Sequence, residues 1–258
     1  MTFPLQMRSL AGRLGLVLLA TLCACALPAS AAATFDSANQ LYDQGKFQDA
    51  RQQYEQLLSS GQSSANVYYN LGNADYRLGS KGQATLDYER ALALDPAHPE
   101  AQANLKLVRE QCGALLLPVT WMDRIVLPWR ESVYVVLATV SVWTIILAGA
   151  FMWLWRRTES LGLWTLCLAS LLAAGYSGLA LWHSWQNRGL GIVTEKEVTA
   201  RLAPADRAGV VENLPAGSRV LVLSERGEWV YCELPGQSRG WMPAGSVEKV
   251  SVDKPGKS

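Results

Sequence analysis

Neither sign of charge is in excess in this sequence. Its 258 residues include 23 lysines and arginines against 22 aspartates and glutamates, giving a formal net charge of +1. Proteins that bind mainly nucleic acid usually need a clustered basic surface, so this balance argues against nucleic acid as a partner. Half of the residues are hydrophobic, and they are concentrated in a few blocks. The polar and the apolar blocks of the chain therefore have to be interpreted separately.

Residues that bind metals or form disulfides are also scarce. The histidines are His98 and His183, and two of the five cysteines, Cys23 and Cys25, lie in the N-terminal apolar stretch. No CxxC or other metal-ligand spacing occurs among the other three, Cys112, Cys167 and Cys232. The sequence also has no recognisable nucleophile–base motif or phosphate-binding glycine loop. We therefore predict no metal site, no cofactor, no disulfide framework and no catalytic residue.

The N-terminus has the organisation of an export signal. Arg8 and Arg13 precede the apolar stretch LGLVLLATLCACALP, and the small-residue run ASAAA follows. A charged segment, a short apolar core and a small-residue cleavage site are typical of a signal peptide. We predict a signal peptide over residues 1–32 with cleavage inside ASAAA. A lipoprotein signal is the alternative, because LCAC loosely resembles a lipobox.

Two long uncharged runs occupy the middle of the chain, at residues 132–155 and 161–185. A helix of 24 residues, the length of the first run, extends for about 36 Å, enough to cross a hydrocarbon core of about 30 Å. Indole rings favour the membrane–water boundary. Seven of the ten tryptophans lie near the ends of these runs: Trp121, Trp129, Trp153, Trp155, Trp164, Trp182 and Trp185. We predict two transmembrane helices, preceded by an interfacial linker over residues 113–131.

The loop RRTES, residues 156–160, determines the predicted topology. Short loops rich in lysine and arginine are retained in the cytoplasm, so Arg156 and Arg157 place this loop on the cytoplasmic side. The export signal independently places the N-terminal region outside. Both flanking regions are then extracytoplasmic, in a bacterial inner membrane protein with two spans.

Residues 34–112 contain an internal repeat. Tyr42, Gly45, Ala50 and Tyr54 recur 34 positions later as Tyr76, Gly79, Ala84 and Tyr88. The second copy, VYYNLGNADYRLGSKGQATLDYERALALDP, resembles the tetratricopeptide repeat family. That resemblance implies an all-α array with a capping helix near residues 98–111. It also implies a groove that binds a protein partner, lined by Asn39, Tyr42, Asn73, Tyr76 and Arg77. The alternative is that the asparagines are ordinary structural residues of the repeat.

Residues 190–250 change to short alternating runs punctuated by glycine and proline, which are typical of strands. The order LPAGSRV, GEWVYCEL, GWMPAGSVEKV resembles the bacterial SH3-like family, which implies a small all-β barrel. Trp229, Tyr231 and Trp241 are then either core residues or an exposed groove for a peptide or for peptidoglycan. Residues 251–258 are predicted to be a disordered tail.

The order of these parts resembles the BatE-like proteins of bacterial aerotolerance operons. The resemblance implies a scaffold, without enzymatic activity, that works with von Willebrand factor A-type membrane proteins and a MoxR-type ATPase in oxidative or envelope stress. Two alternatives stay open. The β module either binds the cell wall as a sensor or tether, or only caps the hairpin structurally.

Overall fold

The computed structural model describes residues 34–126, 129, 131–155 and 161–252. Three sequence-based predictions lie outside the described residues. These are the signal peptide at residues 1–32, the loop at residues 156–160 with Arg156 and Arg157, and the tail beyond Val252.

The N-terminal module is all α-helical. Its five helices are α1 (Phe35–Asp43), α2 (Phe47–Ser59), α3 (Ala65–Arg77), α4 (Lys81–Leu94) and α5 (Pro99–Cys112). Three of these helices have an N-cap residue whose side chain accepts a hydrogen bond from a backbone N–H of the first turn. These residues are Thr34, Ser64 and His98. The fifth helix ends at Gly113 in the left-handed conformation. Its bounds agree with the predicted capping helix.

The repeated small and aromatic residues have the packing roles that the repeat predicts. Gly45 and Gly79 have φ of 77° and 84° in the turns that follow α1 and α3, where a side chain would be strained. A Cβ at Gly72 would lie 2.8 Å from the ring of Tyr88. The missing side chain therefore lets α3 approach α4, and the buried tyrosine fills the space between them.

Two long apolar helices follow a short helix α6 (Trp121–Ile125): α7 (Glu131–Trp155) and α8 (Leu161–Gln186). Both are long and apolar enough to cross a membrane. They pack against each other through small buried residues such as Ser141, Ala148 and Ser177. Large apolar side chains face outward, with Trp153 81% exposed. The predicted runs agree with these helices to within one residue at each end.

The C-terminal module is an antiparallel sheet of seven strands, β1 (Leu190–Val193), β2 (Glu197–Arg201), β3 (Val210–Pro215), β4 (Arg219–Arg226), β5 (Trp229–Glu233), β6 (Arg239–Pro243) and β7 (Val247–Lys249). The strand order is β3-β2-β6-β5-β4-β1-β7. Within the described chain no ladder joins β3 to β7, so the sheet is open and the predicted closed barrel is wrong. Buried residues from all seven strands nevertheless share one core, because register shifts after Ala200 and Val222 curl the sheet.

The helical and β modules pack directly against each other. Leu86 on α4, Ile192 on β1 and Val250 after β7 form one buried apolar cluster. Val252 lies against another cluster that contains Tyr68, Ala91 and Ala101. Val252, which the sequence assigns to the tail, is therefore packed on the helical module.

A buried carboxylate also joins the two modules. Glu89 on α4 accepts from Arg219 Nε and Nη2 at 2.7 Å each, and it also pairs with Arg109 on α5. The backbone N–H of Arg219 donates to the carbonyl of Leu115 at 2.9 Å. Since Glu89 is buried, the loss of either cation would leave a poorly compensated charge in a region of low dielectric.

The close approach of α4 to β1 allows a direct test. A Cβ at Gly82 would lie 2.1 Å from the backbone oxygen of Thr194, so Gly82→Ala forces the modules apart. We expect it to lower the free energy of unfolding by about 1–3 kcal/mol, although alanine favours helix elsewhere. Chemical unfolding of the purified full-length protein measures this, and protease cleavage after residue 113 reports separation of the modules.

Gly149→Ala is the matched control, since a Cβ at this helical glycine meets nothing within 4 Å. Equal stability of the two variants would contradict the packing of Gly82 against Thr194.

Candidate functional site

Three helices of the repeat module, α1, α3 and α5, form its inner face, defined here by Asn39, Tyr42, Asn73, Tyr76 and Arg77. Amide pairs tie these helices together. Asn70 Nδ2 donates to Asn39 Oδ1 at 2.9 Å, and Asn104 Nδ2 donates to Asn73 Oδ1 at 2.9 Å. The helices that the sequence predicts to line a groove therefore do lie side by side.

The paired helix of each repeat supplies a second donor to the same asparagines. Tyr54 Oη donates to Asn39 Oδ1 at 2.6 Å, and Tyr88 Oη donates to Asn73 Oδ1 at 2.7 Å. Burial raises the pKa of Tyr54 to about 12 and also raises the pKa of Tyr88. Both phenols therefore stay protonated at neutral pH and remain donors.

The oxygen and the nitrogen of each asparagine side chain differ in what they contact. The Oδ1 atoms of Asn39 and Asn73 are occupied by structural hydrogen bonds. No contact within the described chain uses their Nδ2 groups, so two amide donors are left on the inner face. A pair of fixed donors suits the carbonyl groups of an extended peptide. The structural interpretation of the asparagines and the binding interpretation are thus compatible.

The remaining inner-face residues form an aromatic and cationic patch. The guanidinium carbon of Arg77 lies 4.5 Å from the ring centroid of Phe47, which meets Tyr42 edge-on at 5.2 Å. Tyr76 Oη accepts from Gln111 Nε2 at 3.0 Å. Phe47 and Gln111 were not predicted, because a single repeat motif does not show which residues of neighbouring helices meet.

The tetratricopeptide repeat family model matches residues 35–105. Residues 35–105 are a tetratricopeptide-type array. Among curated proteins, the chain is 35% identical over 92 residues to the probable biofilm formation methyltransferase WspC of Pseudomonas putida, covering 36% of this chain and 22% of WspC. WspC of Pseudomonas aeruginosa is 38% identical over 77 residues, covering 30% of this chain and 18% of that protein. Human tetratricopeptide repeat protein 16 is 32% identical over 78 residues, covering 30% of this chain and 9% of that protein.

The chain thus spans about a fifth or less of the length of these relatives. Tetratricopeptide arrays generally bind protein partners and are typically not catalytic, and residues 35–105 match their family model. Within the described residues, no group of three His, Cys, Asp or Glu side chains is arranged to hold a metal ion.

The aromatic residues of the β module lie on the face opposite its core. Val230, Cys232 and Met242 are buried, whereas Trp229, Tyr231 and Trp241 alternate with them and are half-buried. Tyr231 is directly opposite Trp241 in the ladder, with ring centroids 5.0 Å apart. The indoles therefore do not fill the core. Successive side chains of a strand point to opposite faces, and the smaller Val230, Cys232 and Met242 are the ones that point to the core. The three aromatics, named here the aromatic strip, form a surface.

A cluster of carboxyl groups lies where α3 and α4 meet the β module. Asp75 and Asp87 are both buried, and the charge of Asp75 acts on Asp87. Arg51 Nε lies 3.1 Å from Asp75, and Arg90 lies 3.6 Å from Asp87 and 3.3 Å from Glu248 on β7. Burial raises the pKa of both aspartates above 3.8, and the charge of Asp75 raises that of Asp87 further. The pair therefore retains a proton to a higher pH than free carboxyls.

This carboxyl pair predicts a pH-dependent stability. A raised pKa in the folded state gives a stabilisation that is complete below the unfolded value of 3.8 and is lost as the pH rises through the folded value. We expect the free energy of unfolding to fall as the pH rises above 3.8, by up to about 1.4 kcal/mol per pH unit for each proton released. Asp87→Asn should flatten this profile, as measured by urea unfolding at each pH.

Asp43→Asn, at an exposed aspartate on α1, is the control and should keep the wild-type profile. An unchanged slope in Asp87→Asn would show that the buried pair holds no extra proton.

Proposed function

We propose that this protein is a non-enzymatic, membrane-anchored scaffold that holds a segment of a partner protein against the inner face of its repeat array. One observation carries this proposal. The β module covers the outer side of α4, while on the inner face no contact among the described residues uses the Nδ2 groups of Asn39 and Asn73, next to the Arg77, Phe47 and Tyr42 patch. An extended segment with apolar and acidic residues suits such a surface.

The contacts between modules support the proposed topology. One module precedes the α7–α8 hairpin and the other follows it, yet they share a buried cluster at Leu86, Ile192 and Val250. They must therefore lie on the same side, which an even number of membrane crossings allows. Arg188 and Glu131 also pair at 3.1 Å across the base of the hairpin. We propose two spans in a bacterial inner membrane, with both modules extracytoplasmic and Arg156 and Arg157 in the cytoplasm.

The partner class rests on the resemblance to BatE-like proteins. It suggests a von Willebrand factor A-type membrane protein as the segment that the inner face binds, within an aerotolerance or envelope-stress complex. The repeat match supports protein binding in general, and the choice of partner is part of the proposal.

Partner capture tests the inner face. The variant Tyr42→Ala/Arg77→Ala removes the aromatic and cationic patch, so we expect it to lose partners that the intact detergent-solubilised protein captures. A loss of about 1–3 kcal/mol would lower the bound fraction roughly five-fold or more. Quantitative mass spectrometry of cross-linked membranes measures the partner set.

Gln52→Ala/Gln56→Ala, at exposed positions on α2, is the matched control and should keep the wild-type set. If the inner-face variant captures the same partners in the same amounts, the inner face is not the binding surface.

Labelling with a membrane-impermeant thiol reagent tests the topology. In a Cys112→Ala/Cys167→Ala background, Ser258→Cys should react in intact cells and Ser160→Cys should react only after permeabilisation. The reason is that the positive loop stays in the cytoplasm while the C-terminus returns outside. Reaction of Ser160→Cys in intact cells would overturn the proposed orientation.

The aromatic strip favours a second candidate function, which is binding of peptidoglycan by the β module. The rings of Trp241 and Tyr231 are half-buried and lie 5.0 Å apart in a tilted arrangement, and aromatic side chains with one polar end are common at interfaces. In this case the full-length protein in detergent should co-sediment with purified sacculi. Trp241→Ala should reduce the sedimented fraction several-fold, whereas Leu202→Ala, at a residue 71% exposed in the same module, should not. Absence of co-sedimentation by the wild type would exclude this function.

A further inference from the structure

A cavity of about 640 Å³ lies between the repeat array and the β module, a size typical of small-molecule sites. Three of its lining residues are apolar, Leu92, Leu105 and Leu116, and are named here the leucine wall. Arg109 and Arg219 also line it and are named here the cationic wall. Lys106 and Glu110 line it as well and pair with each other at 4.0 Å. The cavity therefore combines an apolar wall with a cationic one, and an amphiphilic anion fits that combination.

At the cationic wall, the positively charged side chains outnumber the carboxylate that contacts them. Arg109 and Arg219 share the single carboxylate of Glu89. Within the described part of the chain, the Nε–H of Arg109 is buried and has no acceptor. Burial and the charge of Arg219 lower the pKa of Arg109 to about 9, as expected where two cations have one counter-ion. Two partly buried cations that share one carboxylate are incompletely compensated, so a bound anion would stabilise this wall.

The cavity lies close to the proposed membrane surface. Leu116 belongs to the segment that leads into α6, and the charge of Asp123 on α6 acts on Arg219. Leu92 also lines a neighbouring cavity of about 710 Å³, whose wall includes Trp129, Glu131 and Arg188 at the base of the hairpin. The two cavities therefore meet at Leu92, and the second one extends to the base of the hairpin.

We propose that this cavity binds the headgroup of an acidic phospholipid, with Arg109 and Arg219 facing the phosphate and the leucine wall contacting an acyl chain. Phosphate is the anion that guanidinium groups bind best with paired N–H donors. The lipid source is favoured over a free anion by the apolar wall, and over a peptide carboxylate by the position at the base of the hairpin. The site would place the contact between the two modules at the lipid surface. This inference rests on the proposed membrane anchoring.

Native mass spectrometry of the full-length protein, released from detergent micelles, tests the proposal. The probes are phosphatidylglycerol, phosphatidylcholine with the same acyl chains, inorganic phosphate, and a short apolar peptide with a free C-terminal carboxylate. We expect one phosphatidylglycerol molecule to be retained roughly tenfold more than phosphatidylcholine. Equal retention of the two lipids, or equally tight binding of phosphate or of the peptide, would overturn the proposal.

Two variants test the site itself. Arg109→Gln removes one guanidinium, and Leu116→Asp places a negative charge at a residue that is 49% exposed without touching Glu89. Both should abolish the preference for phosphatidylglycerol. Leu107→Asp is the matched control, because Leu107 is 46% exposed and does not line this cavity. Leu116→Asp does not depend on the Glu89 cluster, so its unchanged preference would overturn the proposal even if Arg109→Gln misfolds.

Flotation of alkali-washed membranes separates this inference from the proposed function. Protein that does not float with membranes would contradict the membrane anchoring on which both depend. Protein that floats but shows no preference for phosphatidylglycerol would overturn only the lipid site.

Discussion

The arrangement of this protein depends on the buried carboxylate of Glu89. It lies on α4 and holds Arg109 of the repeat array and Arg219 of the β module at the same point. Burial weakens the competition from water, so these contacts count for more than ion pairs at the surface. The apolar cluster at Leu86 and Ile192 lies beside them on the same helix. The β module therefore packs on the outer side of α4 through both polar and apolar contacts.

The position of the β module bears on both surfaces to which a function is proposed. The β module packs on the outer side of α4, away from the inner face of the repeat array. The aromatic strip is on the far side of the sheet core from Val230 and Met242, so it stays open too. The β module therefore stabilises the repeat array and also presents the aromatic strip as a separate surface. A structural capping role and a binding role are compatible here.

The asparagines of the inner face hold neighbouring helices together. Asn73 accepts from Tyr88 and Asn104 through one oxygen, and this fixes the orientation of its amide. In the proposed binding role of this face, N–H donors that are already fixed would lower the entropy cost of binding. Asn39 repeats the arrangement one repeat earlier. The repeat period therefore sets the spacing of the donors along the face.

Local patterns in the sequence were sufficient to predict the helical repeats, the two apolar helices and the strands of the β module. The spacing of Gly45 and Gly79, the length of the uncharged runs and the alternation around Val230 each reflect short-range geometry. The same patterns did not predict that Trp229 and Trp241 lie outside the core or that the sheet is open. Alternation shows that two sets of residues face opposite sides but not which side is the core, and it does not encode the register shifts at Ala200 and Val222 that curl the sheet.

The sequence by itself determined the order of the modules and the helices that carry Asn39, Tyr42, Asn73, Tyr76 and Arg77. Only the tertiary structure decided which residues meet between modules. Glu89 and Arg219 are 130 positions apart, and a glutamate in an amphipathic helix ordinarily predicts a solvated face. Its burial follows from a second module folding onto that face. Contacts of that kind arise from complementary surfaces distant in sequence, whereas periodicity reports only on the element in which it occurs.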